Sequence, residues 1–271
     1  MTLTTPNSGE NRPALVVQNV SAEHQQKSAA SQRNSNRPTL EDVSFHLVEG
    51  ESLGILGTVA DGVGLLADVI CGRLEPTLGD VFVRPSLCLL EDLTPTELQQ
   101  NLYEAVERLA MTQDVNGRSL KKNVERTVRQ AALDEDQLFT RVADLDTSVV
   151  DLARLSAALN TSPSVLLATS SIATGNALLT DPGNVWFERY IARGGAAVVF
   201  GQTTRTMVRA CSRIIWLHEG RVLMDRPAVE VHRAKTLLDN GKSDKPLVGQ
   251  YIRRYQQEYE APRFRTFWTT D

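Results

Sequence analysis

Cysteine, histidine and long apolar runs are all scarce in this sequence, and each scarcity excludes a class of protein. The three cysteines of the 271 residues are scattered and form no CxxC pair, so we expect neither a disulfide framework nor a metal site. No run approaches the roughly 18 apolar residues that a membrane-spanning helix requires. Residues 1–13 are polar and have no apolar stretch, so we expect no signal peptide. These absences predict a cytoplasmic protein that reaches the inner face of a membrane only through a partner.

Charge and catalytic side chains exclude further functions. The net charge of −4 gives no reason to expect binding to nucleic acid, and 41% hydrophobic residues are ordinary for a globular protein. The four histidines lie far apart, and none stands beside an obvious nucleophile. Ser170 and Ser171 have no base close to them in the sequence. Nothing in these residues predicts a catalytic centre.

The hydrophobic pattern divides the chain into four parts. Residues 1–13 are rich in Thr, Asn, Ser and Pro and predict a flexible tail. Residues 14–235 alternate short apolar runs with helical stretches, which predicts an α/β domain with a mostly parallel sheet. Within them, residues 94–159 are helical in character and predict an insertion. Residues 236–271 form a carboxyl-terminal extension that is rich in aromatic residues.

Local signals place several elements inside the domain. A compact apolar strand at residues 52–56 enters a glycine-bearing segment, and residues 65–71 continue as a helix. Thr94 followed by Glu97 is an amino-terminal cap, which predicts one helix from there towards Met111. Further predicted elements are a loop over residues 21–38, helices over 121–133 and 186–193, and strands over 165–168, 196–200 and 214–217.

The extension carries one regular pattern. Tyr251, Tyr255 and Tyr259 recur every four residues and would line one face of a helix. Such a stripe is more often a packing or dimer surface than a ligand site. The basic pair Arg253 and Arg254 lies in the same stretch, where a solvated helix face is the simpler interpretation.

Several segments together resemble one family. The first half contains Leu53-Gly-Ile-Leu-Gly57 and then Ile70-Cys-Gly-Arg-Leu-Glu-Pro-Thr-Leu-Gly79, and the second half contains Cys211-Ser-Arg-Ile-Ile-Trp-Leu-His-Glu-Gly-Arg221. In order and spacing they resemble the ATP-binding subunits of ABC transporters, and most of all the ATPases of polysaccharide and teichoic-acid exporters. The resemblance implies a P-loop NTPase-type α/β fold with an antiparallel β edge and a helical insertion.

The phosphate-binding loop of that family is altered in this chain. Such a loop has the pattern GxxxxGK[ST], whose backbone amides, lysine and hydroxyl hold phosphate and magnesium. Gly57 and Gly62 match its glycines, but Val63 stands at the lysine position and Gly64 at the hydroxyl position. Asp61 is expected to add a negative charge beside the phosphates. Gly57, Gly62 and Gly64 are therefore candidate residues of a degenerate site, although glycines kept for the geometry of a turn are the alternative.

The catalytic positions implied by the resemblance are altered too. Thr169 and Ser170 stand where the family has Asp and Glu, and neither can act as a general base at neutral pH. Gln202 occupies the histidine switch position and is a candidate phosphate contact. Residues 146–151 stand at the signature loop without its glycines, and Asn176 replaces an aspartate. We expect no catalytic residue, no metal ligand and no cofactor, with ATP bound only if weak residual affinity survives.

These losses, all on one chemistry, predict a pseudo-ATPase. ABC subunits sandwich ATP between the phosphate loop of one and the signature loop of the other, so a homodimer or a heterodimer of this chain would lack a complete site. The expected partners are an ABC membrane subunit, an active ABC ATPase, or both. Together they would form an exporter of cell-envelope polysaccharide, in which this chain has a structural or regulatory role. The alternatives are a scaffold that has left transport, and a weak nucleotide-sensing regulator.

Overall fold

The computed structural model describes residues 2–3, 12–23, 38–111, 117–169, 177–178, 181–240, 250, 252–255, 257 and 268–269. The strands are β1 (Thr2–Leu3), β2 (Pro13–Glu23), β3 (Thr39–Val48), β4 (Ser52–Leu56), β5 (Leu78–Val83), β6 (Leu87–Leu90), β7 (Val165–Ala168), β8 (Ala196–Gly201), β9 (Arg213–His218), β10 (Arg221–Pro227) and β11 (Trp268–Thr269). The helices are α1 (Val63–Ile70), α2 (Pro95–Leu98), α3 (Leu102–Met111), α4 (Gly117–Gln130), α5 (Glu135–Phe139), α6 (Thr147–Asn160), α7 (Gly183–Ala192), α8 (Thr204–Ala210) and α9 (Ala228–Asn240).

The central sheet has six strands in the order β10-β9-β4-β8-β7-β6. Strands β9, β4, β8, β7 and β6 run parallel, and β10 pairs antiparallel with β9 at the edge. Every residue of β4, β7 and β8 is buried, which explains their continuous apolar sequences. The predicted mostly parallel sheet with an antiparallel edge is confirmed.

A second sheet covers one side of the first. Its three strands are antiparallel in the order β3-β2-β5, and their apolar side chains share a core with α1 and the central sheet. The loop predicted over residues 21–38 is wrong at its start, because β2 continues to Glu23. There Ala22 and Glu23 pair with Leu40 and Thr39. The rest of the predicted loop lies almost wholly outside the described residues.

The helical insertion has a core of its own. Apolar side chains from α3, α4 and α6 pack together in it, among them Val106, Val124 and Val150. The single helix predicted from Thr94 towards Met111 is wrong, because the chain breaks between α2 and α3. The Val142 amide donates to the Gln100 carbonyl at 2.9 Å, and this contact with a distant segment competes with helical hydrogen bonding.

The remaining predicted elements are present with shifted ends. Helix α4 begins at Gly117 and ends at Gln130, and α7 spans Gly183–Ala192. Helix α6 is capped by Asp146, whose side chain accepts a 2.8 Å hydrogen bond from the Ser148 amide.

No helix in the described ranges combines the length and the apolar character that a bilayer crossing demands.

Only part of the carboxyl-terminal aromatic pattern can be placed. Tyr255 and Ile252 pack against the core formed around α8, α9 and β8. Tyr251 and Tyr259 lie outside the described residues. The helical face that the three tyrosines predict therefore stays a prediction, as do the domain boundaries at residues 13 and 235.

Candidate functional site

Strand β4 delivers the chain to the edge of the sheet where the candidate site lies. It is paired on both sides with parallel strands, β8 and β9. At its end the Gly57 amide donates to the Gly201 carbonyl at 3.1 Å, so the start of the loop is fastened to the end of β8. The loop and the carboxyl ends of the parallel strands consequently meet at one place, which is where ligands bind in open α/β sheets.

The loop is closed by its own aspartate. Residues Val59–Asp61 form one turn of 3₁₀ helix, and the Asp61 carboxylate accepts hydrogen bonds from the Thr58 amide at 2.8 Å and the Thr58 hydroxyl at 2.7 Å. Gly62 follows with φ of 84° and leads into α1. The loop thus has the path of a strand-to-helix turn, stabilised by the Thr58 and Asp61 side chains and by two backbone hydrogen bonds within it.

The loop and the strand ends enclose a cavity of about 450 Å³. None of the described residues that line it carries a charged side chain. Its lining residues are Gly57, Thr58, Val59, Val63, Gly64, Ala67, Thr169, Phe200, Gly201, Gln202 and Thr203. Three of the four residues predicted for the site, Gly57, Gly64 and Gln202, are therefore brought together, whereas Gly62 is not in the lining.

The polar groups at the rim offer little to an acid–base reaction. The Thr169 hydroxyl donates to the Leu90 carbonyl at 3.3 Å, and its backbone amide donates to the same oxygen at 2.8 Å. Gln202 is exposed and has an amide in place of an ionisable group. Neither group can accept a proton from water at neutral pH. Ser170 and Asn176 lie outside the described residues.

Asp61 is not among the residues that line the cavity. Its carboxylate accepts a 3.0 Å hydrogen bond from the Glu219 amide and lies 3.4 Å from Nδ1 of His218, both in the β9–β10 turn. The carboxylate thus bridges Thr58, which lines the cavity, and the β9–β10 turn, and the repulsion expected beside phosphates stays a prediction. Sequence alone could not reveal the contacts with that turn, since its residues are separated from Asp61 by more than 150 residues.

The environment of Asp61 favours its ionised form. Burial acts to raise the pKa of Asp61. Hydrogen bonds from the Thr58 and Glu219 amides and from the Thr58 hydroxyl act against burial, as does the nearby His218 imidazole, and the net effect is a lowered pKa. A carboxylate whose pKa is lower in the folded state than in the unfolded state stabilises the fold at pH values above its ordinary pKa. That stabilisation is lost as the pH falls through the folded value.

We expect Asp61→Asn to lower the free energy of unfolding by about 1–2 kcal/mol at neutral pH, because charge-assisted hydrogen bonds become neutral ones. The deficit should shrink as the pH falls below the ordinary carboxylate range. Urea unfolding of both proteins at several pH values measures it. Asp80→Asn is the matched control, since the exposed Asp80 side chain makes no hydrogen bond or ion pair with the described residues. An equal deficit at every pH would contradict the prediction.

The stretch at the signature position begins a helix. Asp146 caps α6, and Asp151 and Arg154, the fifth and eighth residues of the helix, are buried. Arg154 donates to the Glu91 carbonyl and so ties α6 to the segment after β6. Two buried ionisable side chains therefore lie in this helix. Asp151 belongs to the stretch singled out in the sequence, whereas no motif pointed to Arg154.

Comparison with known proteins supports the resemblance found in the sequence. No protein-family model matches the chain. It is 20% identical over 230 residues to Teichoic acids export ATP-binding protein TagH of Listeria innocua, which covers 85% of this chain and 68% of that protein. It is 23% identical over 221 residues to ABC transporter protein AbcA of Aeromonas salmonicida, covering 79% and 70%. The matches to TagH of Listeria monocytogenes and of Shouchella clausii span only 60% and 51% of those proteins.

Solved structures agree on the fold. The ATP binding subunit of an ABC transporter superposes with a TM-score of 0.65 at 18% identity, covering 83% of this chain and 94% of that one. The structure of cbiO1 from Clostridium perfringens, part of the ABC transporter complex cbiONQ, gives 0.64 at 16% identity, with 90% and 100% covered. The resemblance to ABC transporter ATP-binding subunits, and the fold that it implies, are thereby confirmed.

Proposed function

We propose that this chain, an ABC-type ATP-binding subunit by fold and by sequence similarity, does not hydrolyse ATP and has a structural or regulatory role in an exporter of cell-envelope polymer. One observation carries the proposal. Among the residues that the structure describes, no charged side chain lines the cavity between the loop and the ends of β7 and β8. A site for a nucleoside triphosphate needs positively charged groups beside the negatively charged phosphates.

The missing lysine alone has a large effect on affinity. At about 4 Å and an effective dielectric constant near 20, one cation contributes about 4 kcal/mol to holding a unit negative charge. That energy corresponds to about a thousandfold in affinity. Val63 occupies the position from which such a cation would act, and its side chain packs against the apolar core. The residues present do not fit Mg-ATP.

Neither of the two described positions expected to help hold magnesium, 64 and 169, supplies a ligand for it. Gly64 offers no hydroxyl at the start of α1, and Thr169 offers no carboxylate at the end of β7, while its hydroxyl is bonded to Leu90. Magnesium is usually held by carboxylates and phosphate oxygens together. Without these groups neither the metal nor an attacking water has a defined position.

The role in export rests on the relatives. Several proteins similar to this chain are named for teichoic acid export. We therefore propose that the chain docks on an ABC membrane subunit, on an active ABC ATPase, or on both, and lies at the inner face of the membrane through that contact. Its cargo would be an anionic or carbohydrate polymer of the cell envelope.

Calorimetric titration with Mg-ATP tests the loss of nucleotide binding. We expect no saturable binding up to about millimolar nucleotide, a concentration that detects free energies of about −4 kcal/mol. An intact ABC ATPase domain serves as the positive control. The double variant Val63→Lys/Gly64→Ser restores two of the missing groups and should gain measurable binding but no hydrolysis. Micromolar binding by the unaltered chain at the loop cavity would refute the proposal.

A further inference from the structure

A second cavity lies at the opposite end of the central sheet. Ser164 and Gly195, which precede β7 and β8, belong to its lining, so it faces the amino ends of the parallel strands. Its volume is about 280 Å³. Helices α4 and α6 of the insertion form one side, and α7 with the turn after it forms the other. We refer to this cavity as the arginine cleft.

Positive charge is concentrated in the arginine cleft. Arg84, Arg126, Arg189 and Arg193 line it, and Glu49 is the one carboxylate among the described lining residues. Glu49 forms an ion pair with Arg84. For the other three arginines the described part of the chain provides no ion-pair partner. Since the whole protein has a net charge of −4, this local excess of cations is not a consequence of composition.

Hydrogen bonds fasten the floor of the arginine cleft. The Tyr190 hydroxyl donates to the Ala196 carbonyl at 2.8 Å and to that of Pro163 at 3.1 Å. The Asn160 amide donates to the Thr127 and Ser156 hydroxyls at 3.2 and 3.3 Å. Trp186 is only 8% exposed and closes one wall. A concave and pre-formed surface binds a small ligand with little loss of conformational entropy.

The number and origin of the arginines indicate the class of ligand. A carboxylate has two oxygens and one charge, and one guanidinium fork satisfies it. Here guanidinium groups come from α4, from α7 and from the turn after it, so they approach from different directions. An anion with several oxygens and more than one charge matches that arrangement. We propose that the arginine cleft binds a small anion with two adjacent phosphoryl groups.

Calorimetric titration of the full chain with inorganic pyrophosphate tests this site. We expect saturable binding that weakens as salt is added, because exposed charges are screened. Arg126→Ala and Arg189→Ala should each weaken binding roughly tenfold or more, the usual loss for a charge-assisted hydrogen bond. Arg129→Ala is the matched control, since Arg129 is exposed on the same helix as Arg126 and does not line the cleft. Malonate, a dicarboxylate, should bind roughly tenfold more weakly than pyrophosphate.

Three results would overturn the proposal. They are the absence of binding at millimolar pyrophosphate, binding that survives both cleft substitutions, and malonate binding as tight as pyrophosphate. Thermal melts of each variant establish that the substitutions leave the fold intact, as expected for exposed side chains. The same variants keep the two proposals apart. If Mg-ATP binds and Arg189→Ala abolishes the binding heat, the nucleotide binds in the arginine cleft. If the binding heat persists in Arg189→Ala, it binds in the loop cavity.

Discussion

Replacing Arg213 by alanine should lower the free energy of unfolding by about 3–5 kcal/mol, the usual cost of leaving buried charges without their partner. Arg213 lies in β9, and its guanidinium contacts Glu51 at 2.8 Å and Asp225 at 2.9 Å. It also donates to the His46 carbonyl. The side chains of Glu51 and Asp225 are only 17% and 13% exposed. One guanidinium thus holds β3, β10 and the start of β4 together.

The loss should depend on pH. Burial raises the pKa of Asp225, and the attraction and hydrogen bonds of Arg213 oppose that rise. Without Arg213 the pKa of Asp225 rises further, so the folded variant takes up a proton at a higher pH than the unfolded chain. Proton uptake by the folded state stabilises it as the pH falls, and the deficit should therefore be smaller in mild acid than at neutral pH.

Urea unfolding at several pH values measures both effects. Arg141→Ala is the control, because the Arg141–Asp144 pair is exposed, with side chains 58% and 50% accessible. Such a surface pair contributes about 0–1 kcal/mol. If the two substitutions reduce stability equally, the cluster around Arg213 does not have the role argued for it.

Gly62→Ala and Gly64→Ala should have opposite effects, although both glycines belong to the same loop motif. Gly62 has φ of 84°, and an added Cβ would lie 2.7 Å from the Thr39 carbonyl oxygen. The left-handed backbone alone costs an L-residue about 1–2 kcal/mol, and the contact with backbone adds to it, so we expect a total loss of about 3 kcal/mol. An added Cβ at Gly64 would meet nothing within 4 Å. Because Gly64 lies in α1, alanine there should add about 0.5–1 kcal/mol.

Thermal or urea unfolding of the two variants makes the comparison, with Mg-ATP titrated into each. The contrast tests whether the left-handed backbone at position 62 requires glycine. Equal and small effects at both positions would contradict the geometric interpretation of Gly62. The structure would then give no reason for glycine at that position.

The parts of the fold that depend on local pattern could be predicted from the sequence. The continuous apolar sequences of β4, β7 and β8 indicate strands that are buried on both faces, as strands of a parallel sheet are. In the structure every residue of these three strands is buried. The order of motifs then predicted the family fold. The break between α2 and α3 could not be predicted, because it depends on hydrogen bonds to residues 140–142 about 40 positions away.

The candidate sites follow the same division. Gly57, Gly64 and Gln202 could be predicted as site residues, because the resemblance to ABC ATP-binding subunits fixes the spacing of the loop and the strand ends. The direction of the Asp61 carboxylate depends on Glu219, which no local pattern connects to it. The arginines of the cleft are distributed from Arg84 to Arg193 without any motif, and only the packing of the insertion against α7 brings them together.

Helix α6 has a mechanical consequence through its length and position. Its 14 residues extend about 21 Å, from the cap at Asp146 to Asn160 in the arginine cleft. A tilt of about 5° about one end displaces the other by roughly 2 Å over that length. The cap at Asp146 and the cleft residue Asn160 thus lie at opposite ends of one helix. A ligand that displaced the Asn160 end would move the Asp146 end as part of the same helix, so the two regions are mechanically connected.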